Sequence, residues 1–153
     1  MGTCIFFGHR IVRRNLEDEL YTLVCYLITN QGYDTFYVGN HGDFDGQVRR
    51  ILKKAKENYP HIQYAVVLAY LPRKENELLA YDTLYPEGLE LVPPRFAITK
   101  RNAWMLSRAD CIISYITHHG NAENLVNKAK RKGKIVYNLP EMDIPLLKNF
   151  ALQ

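Results

Sequence analysis

The sequence predicts an α/β protein: a three-layer, Rossmann-like sandwich around a mostly parallel, five-stranded sheet. Short, continuously apolar runs alternate from end to end with longer segments whose apolar residues follow helical spacing. Unbroken apolar runs are typical of parallel strands, because helices cover such strands on both faces. Right-handed crossovers favour the strand order 3-2-1-4-5, in which the chain reverses direction between the first and fourth strands.

The five apolar runs define the predicted strands, which are residues 3–7, 35–38, 64–70, 110–116 and 134–139. Asn15 is a good N-cap for the first helix, and Gly32 ends it. Asp43 or Asp45 can cap the second helix, which closes before Pro60.

The later helices follow from the same spacing. The long connection after the third strand turns helical over about residues 95–108, and the last regular helix covers 121–132. Residues 1–153 therefore form a single domain, with 140–153 as a docked C-terminal extension.

Composition narrows the class of protein. The chain has 153 residues, 47% hydrophobic and 24% charged, which is ordinary for one globular domain. Its net charge of +4 is too mild to argue for nucleic acid on its own. The three cysteines form neither a disulfide framework nor a CxxC pair, and they resemble buried hydrophobes in a reducing compartment. No apolar run reaches the roughly 18–20 residues that span a bilayer, and no signal peptide opens the chain. We therefore expect a cytoplasmic protein without a membrane partner.

The predicted strand order locates the ligand site. Ligands of open α/β sheets bind outside the carboxyl ends of the strands, at the point where the strand order reverses. The loop after the first strand contains Gly8, His9 and Arg10. Glycine permits close approach, and Arg10 can grip a phosphate in front of a helix N-terminus. The alternative is an ordinary turn whose arginines face water.

The loop after the second strand is rich in glycine. Its residues predicted to contact a ligand are Gly39, Gly42, Asp43, Phe44 and Asp45. Such a loop before a helix suits a phosphate or a ribose, although it matches neither the GxGxxG nor the Walker pattern. A flexible turn with an aspartate cap explains the sequence nearly as well.

The connection between the third and fourth strands combines ring faces with mixed charge, and we interpret residues 81–105 as one wall of the site. Its members predicted to contact a ligand are Tyr70, Pro72, Tyr81, Tyr85, Glu87, Arg95, Arg101 and Asn102. Tyr81 or Tyr85 would stack on a base, and Glu87 would orient a sugar hydroxyl or act as a general base. The alternative is that the aromatic residues cover an edge of the sheet.

The loop after the fourth strand opens the last helix through Gly120, Asn121 and Ala122, whose amides would face an anion. The adjacent His118 and His119 point in different directions. Since zinc needs three or four converging ligands, we predict no metal site.

Several of these segments, taken in order, resemble the SLOG superfamily (the Smf/DprA–LOG nucleotide-binding fold), in particular its small YpsA-like members. The resemblance covers most of the chain up to residue 139. It is carried by FFGHR at 6–10, GDFDG at 42–46, AYLP at 69–72, YDTLYPEGLE at 81–90, RFAITKRNAWM at 95–105, ADCIISY at 109–115 and GNA at 120–122.

The resemblance implies a domain that binds a nucleotide or an NAD-derived ligand such as an ADP-ribose derivative, and that forms a homo-oligomer. We expect no further cofactor to be required. The leading interpretation is a sensor or binding module for this small-molecule nucleotide. The hydrolase branch of the superfamily carries a PGGxGT-type loop with a downstream acid, whereas this sequence has HHGNAEN at 118–124.

Two alternatives stay open at this point. A nucleotide N-glycosidic or phosphoribo-hydrolase would use Glu87 or Glu123 as its catalytic carboxylate, so whether the protein is an enzyme is not decided. DprA-like binding of single-stranded DNA is suggested by basic clusters within 95–108 and 128–134. Nucleic acid is not favoured, because aromatic residues do not interleave with the second cluster.

Overall fold

The predicted fold class is confirmed: helices cover both faces of a parallel sheet. The computed structural model describes residues 2–72 and 78–151, the last two through their backbone alone. The strands are β1 (Gly2–Gly8), β2 (Tyr33–Val38), β3 (Gln63–Val67), β4 (Thr83–Leu84), β5 (Cys111–Tyr115) and β6 (Ile135–Asn138). The helices are α1 (Glu17–Gln31), α2 (Gly42–Asn58), α3 (Ala97–Arg108), α4 (Asn121–Arg131) and α5 (Ile144–Ala151).

The sheet has the order β4-β3-β2-β1-β5-β6, and every described pair of neighbours is parallel. This order contains the predicted one, with an additional strand at the edge. The prediction of five strands is therefore wrong by β4, which lies inside the long connection. β4 joins the sheet because Val66 N–H donates to the Asp82 carbonyl at 2.8 Å and Leu68 N–H donates to the Leu84 carbonyl at 2.8 Å.

The unbroken apolar runs are buried on both faces, as expected for a parallel sheet. In β1, Cys4 and Phe6 join the core beneath α1 and α2, whereas Ile5 and Phe7 join the core beneath α3 and α4. The crossover helices thus change face between β1 and β5. The switch point predicted from the strand order lies between the carboxyl ends of these two strands.

The helix starts differ in detail from the prediction. α1 begins at Glu17, whose N–H donates to Asn15 Oδ1 at 2.9 Å, so Asn15 acts one position before Leu16, the residue at the N-cap. The prediction that Asp43 or Asp45 caps α2 is wrong. His41 precedes the helix, and both aspartates lie in its first turn, where their carboxylates hold other backbone amides.

The C-terminal segment after β6 contains α5, which lies against α1. Ile144 is buried in the same core as α1, and Lys148 Nζ lies 3.9 Å from Asp18 Oδ2. None of the helices in the described ranges is both long enough and apolar enough to cross a bilayer.

Gly8 has a packing role that substitution will reveal. A Cβ at this position would lie 2.3 Å from Cγ of Phe44, a ring that is fully buried between α2 and the sheet. We expect Gly8→Ala to lower the free energy of unfolding by about 1–3 kcal/mol, because the core must shift to admit the methyl group.

Urea denaturation measures this effect, and Gly120→Ala is the matched control. A Cβ at Gly120 would meet no atom within 4 Å, and its backbone is extended at φ 162°. We expect the control to stay within about 0.5 kcal/mol of the parent protein. Equal stability of the two variants would contradict the packing role of Gly8.

Candidate functional site

A cavity of about 610 Å³ lies at the switch point, bounded by the loops after β1, β2 and β5 and by the first turns of α3 and α4. Ten of the predicted contact residues line it. They are Gly8, His9, Arg10, Gly39, Asp45, Arg101, Asn102, Gly120, Asn121 and Ala122. Segments far apart in the chain therefore meet around one crevice.

The remaining predicted residues lie outside the lining of this cavity. They are Gly42, Asp43, Phe44, Tyr70, Pro72, Tyr81, Tyr85, Glu87, Arg95 and Glu123. For Tyr81 and Tyr85 the reason is β4, which carries their segment to the sheet edge, two strands beyond β2. The Tyr81 ring instead packs on the main core beneath Arg49 and Lys53 of α2, each 5.6 Å from the ring centroid.

The first turn of α2 supports the loop after β1. Gly42 has a φ of 90°, and a Cβ there would lie 2.5 Å from the Cα of Arg10. Asp43 N–H donates to the Arg10 carbonyl at 2.7 Å, and Asp43 Oδ2 accepts from Val12 N–H at 3.0 Å. The glycine-rich loop thus fixes the position of Arg10, and its amides are partly engaged by protein.

Arg101 of α3 is the central charged group of the site and is only 2% exposed. Its Nη1 donates to the Val67 carbonyl at 3.0 Å, and its Nε donates to Asn102 Oδ1 at 2.8 Å. Its Nη2 lies 3.3 Å from His41 Nδ1. Burial lowers the pKa of this guanidinium, and Asp45 opposes that shift. Because all three nitrogens have protein partners, Arg101 mainly joins the ends of β2 and β3 to α3.

His41 and Asp45 have shifted pKa values of opposite sign. Burial, followed by the charges of Arg101 and Arg10, lowers the pKa of His41 to about 4. Burial raises the pKa of Asp45 to about 6, against the His41 amide and the nearby arginines. Near neutral pH the imidazole is therefore neutral and the carboxylate is charged. Because Nη2 of Arg101 can only donate, Nδ1 of His41 accepts and its proton lies on Nε2.

A second pair of histidines shapes the opposite rim. The buried His9 ring stacks on His118 at a centroid distance of 3.7 Å, and His9 Nε2 accepts from Thr117 N–H at 3.0 Å. Burial, followed by His118, lowers the pKa of His9. The neutral ring therefore holds the loop after β5. Glu123 is turned away toward His119, whose Nδ1 lies 2.6 Å from Glu123 Oε1.

Groups that can bind an anion lie on the same rim without partners among the described residues. The Arg10 side chain is exposed and has no hydrogen bond or ion pair with the described part of the chain. No described side chain caps the N-terminus of α4, where Gly120 leads into the helix. The amides of its first turn and the positive end of its dipole therefore face the cavity.

The cavity also has an apolar wall, whose residues are not among those predicted from the sequence. This wall consists of Ile98 and Met105 on α3 and Leu125 on α4. The sequence indicates this wall through helical spacing, since Ile98, Arg101 and Met105 recur at intervals of three and four residues on one face. No group of three His, Cys, Asp or Glu side chains among the described residues is arranged to hold a metal ion.

No protein-family model and no curated protein sequence matches this chain. The resemblance to the SLOG superfamily therefore stays a prediction, and the site is interpreted from its own geometry.

The opposed pKa shifts of Asp45 and His41 predict opposite pH profiles for their variants. Asp45 binds its proton more tightly in the folded chain, with a pKa of about 6 against 3.8. Its stabilising contribution is complete below pH 3.8 and is lost as the pH rises through about 6. We expect Asp45→Asn to gain about 1–2 kcal/mol relative to the parent protein between pH 4 and pH 7. A pKa shift of about two units corresponds to roughly 3 kcal/mol. Because the side chain is only part-buried, solvent screening reduces this value.

His41 binds its proton less tightly in the folded chain, with a pKa of about 4 against 6.5. The contribution of the neutral imidazole to folding stability is therefore lost as the pH falls toward 4. His41→Gln should therefore gain stability relative to the parent protein as the pH falls through this window. Urea denaturation at pH 4, 5, 6 and 7 measures both differences. Differences that do not change with pH would refute the assigned shifts.

Proposed function

We propose that this protein is a binding or sensor module for a nucleotide or an NAD-derived ligand, such as an ADP-ribose derivative, held in the cavity between β1 and β5. One observation carries the proposal: an open cavity at the switch point combines a free helix N-terminus with an exposed arginine. Ligands with phosphate groups bind at this place in open α/β sheets.

The anionic part of the ligand would lie between Arg10 and the first turn of α4. Arg10 can form two parallel hydrogen bonds with phosphate oxygens, and the helix amides supply further donors. The buried charge of Arg101 adds positive potential without leaving its protein partners. Of the described charged side chains that line the cavity, two are arginines and one is a carboxylate, Asp45, so an anion is favoured.

The heterocyclic part of the ligand would lie against the apolar wall of Ile98, Met105 and Leu125. A cavity of about 610 Å³ is within the range of about 300–1,000 Å³ that small-molecule ligands occupy. The positions of Tyr81 and Tyr85 at the sheet edge favour this wall over those rings as the surface that contacts the base.

Binding is favoured over hydrolysis by the positions of the two candidate catalytic acids. Glu87 is exposed and lies outside the cavity lining, and Glu123 is paired with His119. Neither carboxylate faces the space where a ligand would react. Binding of single-stranded DNA is also less favoured, because the basic cluster within 128–134 lies at the opposite end of α4 from the cavity.

Isothermal titration calorimetry with ADP-ribose, NAD and common nucleotides tests the proposal. We expect at least one of these ligands to bind, and Arg10→Gln to weaken its binding at least tenfold, because charged hydrogen bonds to phosphate contribute about 1.5–3 kcal/mol.

Arg13→Gln is the matched control, because it removes the same charge from an exposed neighbour that does not line the cavity. We expect this variant to bind within about threefold of the parent protein, since a surface charge acts weakly in salt. A folded sample that binds none of the ligands, or equal losses in the two variants, would contradict the proposal.

A further inference from the structure

Asp45 is an unusual member of a cavity that favours anions. Among the described residues that line the cavity, it is the single carboxylate. Its Oδ2 accepts from the His41 amide at 3.0 Å, whereas its Oδ1 has no hydrogen bond with a described residue. Its second oxygen is therefore an acceptor without a donor, beside a space that a ligand can enter.

A carboxylate accepts hydrogen bonds and cannot donate them while it is ionised. It repels phosphate oxygens, and it binds hydroxyl groups through short, charge-assisted hydrogen bonds. The positive charges that act on Asp45 come from Arg101 on α3, Arg49 on α2 and Arg10 in the loop after β1, and they keep the group ionised near neutral pH. A ligand that satisfies both Arg10 and Asp45 must therefore present an anionic group and a hydrogen-bond donor such as a hydroxyl.

The surroundings of Gly39 keep the Asp45 carboxylate at the cavity. A Cβ at Gly39 would lie 2.8 Å from Arg101 Nη1 and 2.9 Å from Asp45 Oδ2. The missing side chain lets the guanidinium and the carboxylate converge at the carboxyl end of β2. Any larger residue would displace one of them, so the local sequence fixes the position of the acceptor.

We propose that Asp45 is a specificity-determining residue that accepts hydrogen bonds from the 2′- or 3′-hydroxyl of a ribose 5′-phosphate, whose phosphate is bound by Arg10 and the first turn of α4. This inference rests on the proposed nucleotide-binding function and names the recognised unit of the ligand. When the hydroxyl is absent from the ligand, a part-buried charged acceptor is left unpaired, and this loss gives strong discrimination.

Asp45 also has a structural role, which the test must separate from ligand recognition. Its bond to the His41 amide holds the start of α2, and a purely structural role would alter the binding of all ligands alike. The informative quantity is therefore the ratio of two affinities measured on one variant. A change in folding or in net charge affects both affinities and cancels in the ratio.

The experiment measures the dissociation constants of AMP, 2′-deoxy-AMP and 3′-deoxy-AMP for the parent protein and for Asp45→Asn, by calorimetry at pH 7.5. In the parent protein we expect AMP to bind about 10- to 100-fold more tightly than at least one deoxy analogue, as for loss of a hydrogen bond to a charged group. In Asp45→Asn we expect this ratio to fall to within about threefold of unity, because the neutral amide is a weaker acceptor.

Three outcomes overturn this inference and leave nucleotide binding standing. They are equal binding of AMP and both deoxy analogues to the parent protein, an unchanged ratio in Asp45→Asn, and binding of ADP-ribose without binding of AMP. Failure of AMP and ADP-ribose alike, with a folded sample, overturns the proposed function as well.

Discussion

The buried guanidinium of Arg101 is the interaction on which the rest of the site depends. It bonds to the last carbonyl of β3, contacts the residue before α2 and belongs to α3, so three separate elements meet at one group. Transferring a cation from water into the protein interior costs several kcal/mol. The protein tolerates this cost only when the hydrogen-bond donors of the cation have partners. The satisfied bonds of Arg101 explain why it stays inside while the connections around it are long and irregular.

The same constraint sets the chemistry of the cavity. With Arg101 held by protein groups, the exposed Arg10 and the start of α4 are left to bind an anion. Asp45 stays beside the cavity although burial disfavours its charged form. A group that lowers stability and yet remains at a ligand crevice is typical of functional sites, where strain and unfavourable charge are tolerated for recognition.

The architecture could be predicted from the sequence because strands that are buried on both faces appear as unbroken apolar runs. The continuously apolar segments at β1, β3 and β5 required helices on either side, and handed crossovers then gave the strand order. β4 escaped prediction because two residues have no period, and its pairing depends on contacts with β3 that are remote in sequence. Tyr81 and Tyr85 therefore lie at the sheet edge, while residues 98–105 reach the cavity.

Side-chain roles within the site were harder to predict for a related reason. Gly8 and Gly42 suggested an approaching ligand, but the space beside them is filled by the Phe44 ring and the Arg10 backbone. Arg101 is predicted from the sequence to contact a ligand, and only the tertiary structure shows that its donors are engaged by protein groups. A glycine or an arginine in the sequence indicates that another group lies close to it, but the packed fold determines which group that is.

An amide chemical-shift titration of the isotope-labelled protein with ADP-ribose tests most directly whether a nucleotide binds in the cavity. We expect the largest shifts on residues 8–10 and 120–122, which border the cavity between β1 and β5, with small shifts at 81–86 on the sheet edge. Shifts concentrated at 81–86 with none at 120–122 would contradict binding in this cavity, as would a spectrum unchanged at millimolar ligand.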